Sequence, residues 1–264
     1  MDLGTGLALL GSAKLVEKLL GPTAEYLGGE LKDFAKIRTK NINKIFHKAF
    51  IKLGDQIEEE GSVSPKILKG IVNEGSFCDD EVTFEYFAGV LASSRSQIVR
   101  DDRGAVMLAL INRLSSYQIR THYIFYSVIK SLFEGTDRKM NSFENRKEMM
   151  TFLPMEIFIK AMDFTGQEEE ILSSLKAHSL FGLSKEDLIE NNFTYGTHKY
   201  IKERHPKATT GGIIYQPTIL GVELFLCAHG YNEKNLYCLL DIDKPCKIEE
   251  EIMIPQGYRP LNTL

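Results

Sequence analysis

From residue 7 to about residue 180, apolar side chains return with a helical period, and the runs are cut at short intervals by glycine, proline or paired small polar residues. That combination leaves little room for a β-rich fold, because a strand needs a period of two. The pattern predicts a multi-helix body. Gly21-Pro22 and Gly28-Gly29 punctuate the first helices, and a long amphipathic helix follows over residues 30–60, with Phe34, Ile37, Ile45, Ala49 and Leu53 roughly aligned for burial and Gly61 expected to end it. Ser64 reads as a cap with Pro65 at the first helical position, opening a short helix that closes near Gly75. The acidic run Asp79-Asp80-Glu81 suits the positive end of the next helix, which carries Phe84, Phe87, Ala88 and Leu91 to a stop at Ser93-Ser94. Asp101 or Asp102 is expected to cap a helix bearing Val106, Leu110, Ile111 and Leu114, and another starts after Ser115-Ser116 through Ile119, Tyr123, Tyr126, Ile129 and Phe133. Phe84, Phe87, Leu91, Leu110, Leu114 and Tyr123 should meet in one core.

Residues 134–148 are polar and read as an exposed connection. Beyond 150 the texture changes, dividing the chain into a helical body, 1–150, and a smaller α+β portion, 151–264. There, Glu168 to Leu180 and Lys185 to Asn191 read as two helices around Phe181-Gly182-Leu183, a helix-turn-helix-like spacing. Ile213-Ile214-Tyr215 reads as a strand, in a hairpin spanning Thr194 to Thr218, and Thr218 to Ala228 as a closing helix. These parts would make a winged-helix-like unit. Short apolar runs between Leu236 and Ile254, broken by Pro245 and Pro255, read as edge strands. Strand is thus expected almost wholly after residue 190, and the fold class is mainly α with a small C-terminal α+β portion.

The most distinctive local feature lies in the long helix. Lys32, Lys36, Lys40, Lys44, Lys48 and Lys52 fall at every fourth position, with Arg38 beside them. Steps of four place the side chains on successive turns, so the row runs along the helix for ~30 Å while winding slowly around it. Three roles fit such a row: a solvated face, a ribbon for an anionic partner such as nucleic acid, or a contact with a membrane surface. A formal net charge of −4 means that any nucleic-acid binding would have to come from such a local patch.

Other chemistry is poorly supported by spacing. Cys227 and His229 are two apart on an expected helix and point away from each other, and Cys238 and Cys246 lack paired zinc spacing, so no metal site and no cofactor are expected. His198 and His205 have no neighbouring nucleophile motif. Gly4-Thr5-Gly6 lacks the preceding strand and the Lys-Ser/Thr of a phosphate loop. Asp79, Asp80 and Glu81, or Asp241 and Asp243, are the acids a metal-dependent nuclease would have to use, yet capping accounts for the first set. No catalytic motif emerges, which favours a non-enzyme. The apolar run Leu3 to Ala13 is too short to span a membrane and follows an acidic residue, so membrane contact and secretion are not expected. Four scattered cysteines suit a reducing cytoplasm.

LVEKLLGPTAEYLGGELKD, the basic helix after it, VSPKILKGIVNEGSFCDDEVTFEYFAGVLASS and IIYQPTILGVELFLCA together resemble the Abi-alpha (abortive infection alpha) family of bacterial proteins. The resemblance rests on the entry helix at Gly21-Pro22, the proline-led helix running into an acidic turn, and the aromatic helix ending in Leu91-Ala92-Ser93-Ser94, and it covers roughly residues 10–228. It implies a largely helical cytosolic protein of phage defence and leaves the molecular action open; with no catalytic motif in the chain, action through self-association or a protein partner is the expected mode. It carries no active-site residues. Residues 236–264 lie outside it.

Overall fold

The computed structural model of the protein describes residues 31–98, 100–231, 236–243, 246, 248 and 254–264, without the side chains of 31–36, 237 and 238. The apolar run Leu3 to Ala13 and the breaks at Gly21-Pro22 and Gly28-Gly29 lie outside the described residues.

The chain is mainly helical, with one small sheet among the described residues. Helix α1 (Leu31–Leu53) stops earlier than its pattern suggests, because Gly54 takes a left-handed backbone with φ +50° and sends the chain into a 3-10 turn, Gly54–Glu58. Helix α2 (Pro65–Glu74) has Ser64 and Pro65 at the expected places, and a 3-10 turn, Gly75–Phe77, leads on. Helix α3 (Glu81–Ser93) is capped by Asp80, whose carboxylate accepts from the Thr83 N–H at 2.9 Å. Helix α4 (Gly104–Ile111) follows; Asp101 does not cap it but holds the Arg103 guanidinium through two bonds of 2.8 and 2.7 Å. Helix α5 (Ser116–Phe133) begins with a reciprocal capping box between Ser115 and Gln118. It is buried on nearly every face, as befits the central helix of an α fold.

The stretch expected to be an exposed connection contains helix α6 (Phe143–Glu148), capped by Ser142, with Met140 and Arg146 buried. Arg146 accounts for the burial, since its guanidinium donates to the Met140 carbonyl at 2.8 Å. Strand β1 (Thr151–Pro154) comes next, then helices α7 (Met155–Met162), α8 (Gly166–Glu169) and α9 (Leu172–Lys185). Strand β2 (Thr194–Gly196), helix α10 (His198–Arg204), strand β3 (Gly212–Tyr215), helix α11 (Ile219–Ala228) and strand β4 (Arg259–Pro260) complete the order.

The sheet runs β2-β3-β1-β4 with antiparallel neighbours, in register Thr194 to Ile214, Thr151 to Tyr215 and Phe152 to Arg259. Strand β1 is central, so strand is not confined to the region after residue 190. A short buried apolar run such as Thr151–Pro154 has no period that separates strand from helix. The helix-turn-helix spacing is not formed either. Helix α9 runs unbroken through Phe181-Gly182-Leu183, and no second helix follows it before β2. Gly182 serves close packing: a Cβ there would meet the Gln118 side-chain nitrogen at 1.8 Å. Leu236–Leu240, expected as edge strand, is a 3-10 turn, tied to α5 by the Lys130 ammonium, which donates to the carbonyls of Leu239 and Asp241 at 3.1 and 2.9 Å.

One apolar core crosses residue 150 without a break. Phe125 of α5 stacks on Tyr215 of β3 at 3.8 Å between centroids, and Phe225 of α11 packs against Tyr123 and Tyr126. Phe84, Phe87, Leu91, Leu110, Leu114 and Tyr123 all lie in this core, as the sequence predicts. Among the described residues no helix is long and apolar enough to cross a membrane.

Candidate functional site

Helix α1 packs mainly on α3 and the Gly75–Phe77 turn, and its inner face carries a row of polar side chains beside the buried Ile45 and Ala49. Arg38 Nε donates to Ser76 Oγ at 2.9 Å, and its guanidinium lies over the Phe77 ring at 4.5 Å. One turn on, the Asn41 amide donates to the carbonyls of Ser76 and Cys78, each at 2.9 Å. Then come the lysines. Lys44 pairs with Glu81 and sits over the Phe84 ring, Lys48 reaches Glu81 and Glu85 at 2.7 Å each, and Lys52 reaches Glu85 at 2.6 Å. Glu81 and Glu85 are themselves four apart on α3, so both helices present charge once per turn and the two rows interlock. Lys48 and Glu85 keep 5% and 1% of their side-chain surface, so this is an interior ion-pair seam. Burial alone would push the Glu85 carboxyl up, but Lys52 and Lys48 outweigh it and hold the group below the usual carboxylate range. Glu81 is lowered in the same way by Lys44 and Lys48.

The six-lysine row is therefore not one exposed ribbon. Lys48 and Lys52 are spent inside the protein, Lys44 pairs with Glu81 at the half-exposed end of the seam, Arg38 is bound to the Gly75–Phe77 turn, and Lys40 faces solvent. Lys32 and Lys36 belong to α1, but their side chains lie outside the described residues. Lys199, Lys202, Arg204 and Lys207 are exposed on or just after α10, which packs on β2, not on α1.

Turning the lysines inward turns the other face out. Phe46 and Phe50, one turn apart and opposite the lysines, are exposed by 37% and 56%, and Ile51 flanks them. An apolar side on an outward helix face is the reverse of ordinary amphipathic packing. Of the described residues aligned for burial, Ile45 and Ala49 are fully covered, Ile37 is exposed and Leu53 half-buried; the Phe34 side chain lies outside the described residues.

The other titratable groups serve structure. Tyr86 donates to His122 Nδ1 at 2.6 Å, and His122 Nε2–H donates to the Gly221 carbonyl at 3.0 Å; since a carbonyl can only accept, the tautomer is settled. Burial, partly offset by that carbonyl bond, holds the His122 pKa down to about 3, so the ring is neutral. His229 is likewise buried and lowered to about 4, with Nδ1–H donating to the Phe225 carbonyl at 2.7 Å. Cys227 shares a 2.9 Å contact with Ser93 Oγ, and burial pushes its thiol up to about 11, away from thiolate chemistry. Ser115 Oγ stands 2.8 Å from His178 Nε2, a nucleophile-and-base distance that sequence spacing does not show. Ser115 is already committed to the α5 capping box, and among the described residues no carboxylate bonds His178. His198 Nε2–H donates to the Ala208 carbonyl at 2.9 Å beside a cleft of about 530 Å³ where the sheet ends at Gly196 and Gly211. Among the described residues no three His, Cys, Asp or Glu side chains come together as a metal centre.

Compared with known proteins, the chain matches no family model, no curated protein and no solved structure.

Proposed function

We propose that this chain is a phage-defence protein of the abortive-infection type that acts in the bacterial cytoplasm by binding a protein partner through the outward face of α1. The observation that carries the binding part is the inverted helix: charges face the protein and Phe46 and Phe50 face water. Exposed aromatic pairs on a rigid helix are what helix-recognising partners bury. The defence part is supported by the resemblance to the Abi-alpha family alone. A nucleic-acid role loses its main footing, because half of the lysine row is paired with Glu81 and Glu85.

A plaque assay in cells carrying the protein with its neighbouring genes tests the reading. Phe46→Ser with Phe50→Asp should abolish protection while leaving the melting temperature of the purified protein unchanged. Full protection by that variant would reject the α1 face as the working surface, and absence of protection by the unaltered protein across a broad phage panel would reject the defence role.

A further inference from the structure

The cleft at the end of the sheet collects polar side chains that the fold does not use. It encloses about 530 Å³ between the start of α7, one side of α9, the junction of β2 with α10, and the residues that enter β3. Ser173 and Lys176, three apart on α9, share one wall, and the hydroxyls of Thr197 and Thr210 come from two others. Glu156 stands on the first turn of α7. Among the described residues none of these five side chains makes a hydrogen bond or an ion pair with the protein, in contrast to the matched charges of the α1 seam. The frame around them is tight. A Cβ on Gly211 would meet the Gly196 carbonyl oxygen at 2.7 Å and the His198 backbone nitrogen at 3.0 Å, so β2, α10 and the entry to β3 touch there. The Gly211 carbonyl also accepts from the Met155 N–H at 3.1 Å, which ties in α7. Ile201 and Ala208, buried against Phe152 and Ile214, hold α10 on the sheet.

Two further lining groups are fixed in place. His198 is held by its Nε2–H bond to the Ala208 carbonyl, which leaves Nδ1 of the neutral ring as an acceptor. Tyr195 belongs to an aromatic trio: its ring lies within 12° of parallel to Phe193, centroids 6.3 Å apart, and Phe181 stands edge-on to both. Together these groups select a ligand. An ammonium and three hydroxyls donate to a phosphate, and Lys199 and Lys202, exposed and unpaired on α10, add positive potential beside the cleft. Glu156 and His198 Nδ1 accept, which suits ribose hydroxyls or a base amino group and disfavours a ligand that is anionic throughout. Tyr195 supplies a fixed aromatic surface for a planar ring. The volume lies in the range of small-molecule sites. A bare phosphate would leave Tyr195 and Glu156 unused, and an apolar ligand would strand the ammonium. The geometry points to a nucleoside phosphate as the occupant of this cleft, its phosphate on Lys176 and the neighbouring hydroxyls and its base against Tyr195. This site is separate from the outward face of α1 and does not depend on it.

Isothermal titration calorimetry on the full chain tests the site, using the four ribonucleoside 5′-monophosphates and, as separate arms, ribose 5-phosphate, inorganic phosphate and the free nucleosides. At least one monophosphate should bind at one site per chain with a Kd below ~1 mM, more tightly than its nucleoside or inorganic phosphate. Lys176→Gln, which breaks no contact in the fold, should keep the melting temperature, weaken that monophosphate by about tenfold or more, and leave the nucleoside unaffected. Tyr195→Leu should weaken the monophosphate and spare ribose 5-phosphate. If no monophosphate binds at ~1 mM, or if binding is indifferent to both substitutions, the cleft is not a nucleotide site. Inorganic phosphate binding as tightly as every monophosphate would overturn the nucleoside part and with it the proposal.

Discussion

Lys48 and Glu85 meet at 2.7 Å in the interior, the lysine from α1 and the carboxylate from α3, 37 positions apart in sequence. Removing either partner leaves the other charge buried. Lys48→Ala or Glu85→Ala should therefore cost about 3–5 kcal/mol in chemical denaturation, while the double change Lys48→Met with Glu85→Leu should recover most of it. Near-wild-type stability of either single variant would mean the seam is solvated.

Acid should loosen the seam. The folded-state pKa values of Glu85 and Glu81 are depressed, so their stabilisation is complete above the ordinary carboxylate pKa and is lost as pH falls through the lower folded value. His122 and His229, at about 3 and about 4, act earlier: the unfolded chain takes up protons below about pH 6.5 and the folded one does not, so stability falls from there downward. Unfolding free energy measured from pH 7 to pH 4 should decline at a slope approaching ~1.4 kcal/mol per pH unit for each histidine. A flat profile over that range would contradict neutral burial of both rings.

Helices α3 and α11 touch at Gly89. A Cβ at that position would meet the Ala228 carbonyl oxygen at 2.0 Å, and neither backbone can give way without moving its helix. Gly89→Ala should lower stability by at least ~1–3 kcal/mol, although alanine is the better helix former. An unchanged or raised melting temperature would place the two helices further apart.

Leu91 lies in the core with 7% of its surface exposed. Leu91→Ala should cost ~2–5 kcal/mol, read from the shift of the denaturation midpoint. No shift would mean that this face of α3 is not packed.

The helical body is legible because its stops are local chemistry: Asp80 and Ser115 cap through their own side chains to residues three further on. Such signals need only a few neighbouring letters. What escaped reading depends on distant partners. Gly182 resembles a break until Gln118 is seen against it, and Thr151–Pro154 becomes a central strand only through β3 and β4. The lysine row is the clearest case. Taken alone it fits a solvated face, an anion ribbon or a membrane contact, but Glu81 and Glu85 repeat at the same spacing in the next long helix, around its aromatic residues. Two carboxylates four apart among Phe84, Tyr86 and Phe87 were the available sign that a cationic row must reach them. The Ser115 and His178 pair carries no such sign, since the two lie 63 positions apart.

The inward placement of the lysines can be read residue by residue by brief acetylation of the native protein followed by peptide mass spectrometry. Lys40, which faces solvent, and Lys66, with 70% of its side chain exposed, should be modified rapidly, while Lys48 and Lys52, at 5% and 10%, should stay unmodified until the protein is denatured. If Lys48 and Lys52 react as fast as Lys40, the row faces water, the seam with Glu81 and Glu85 is absent, and the outward apolar face of α1 goes with it.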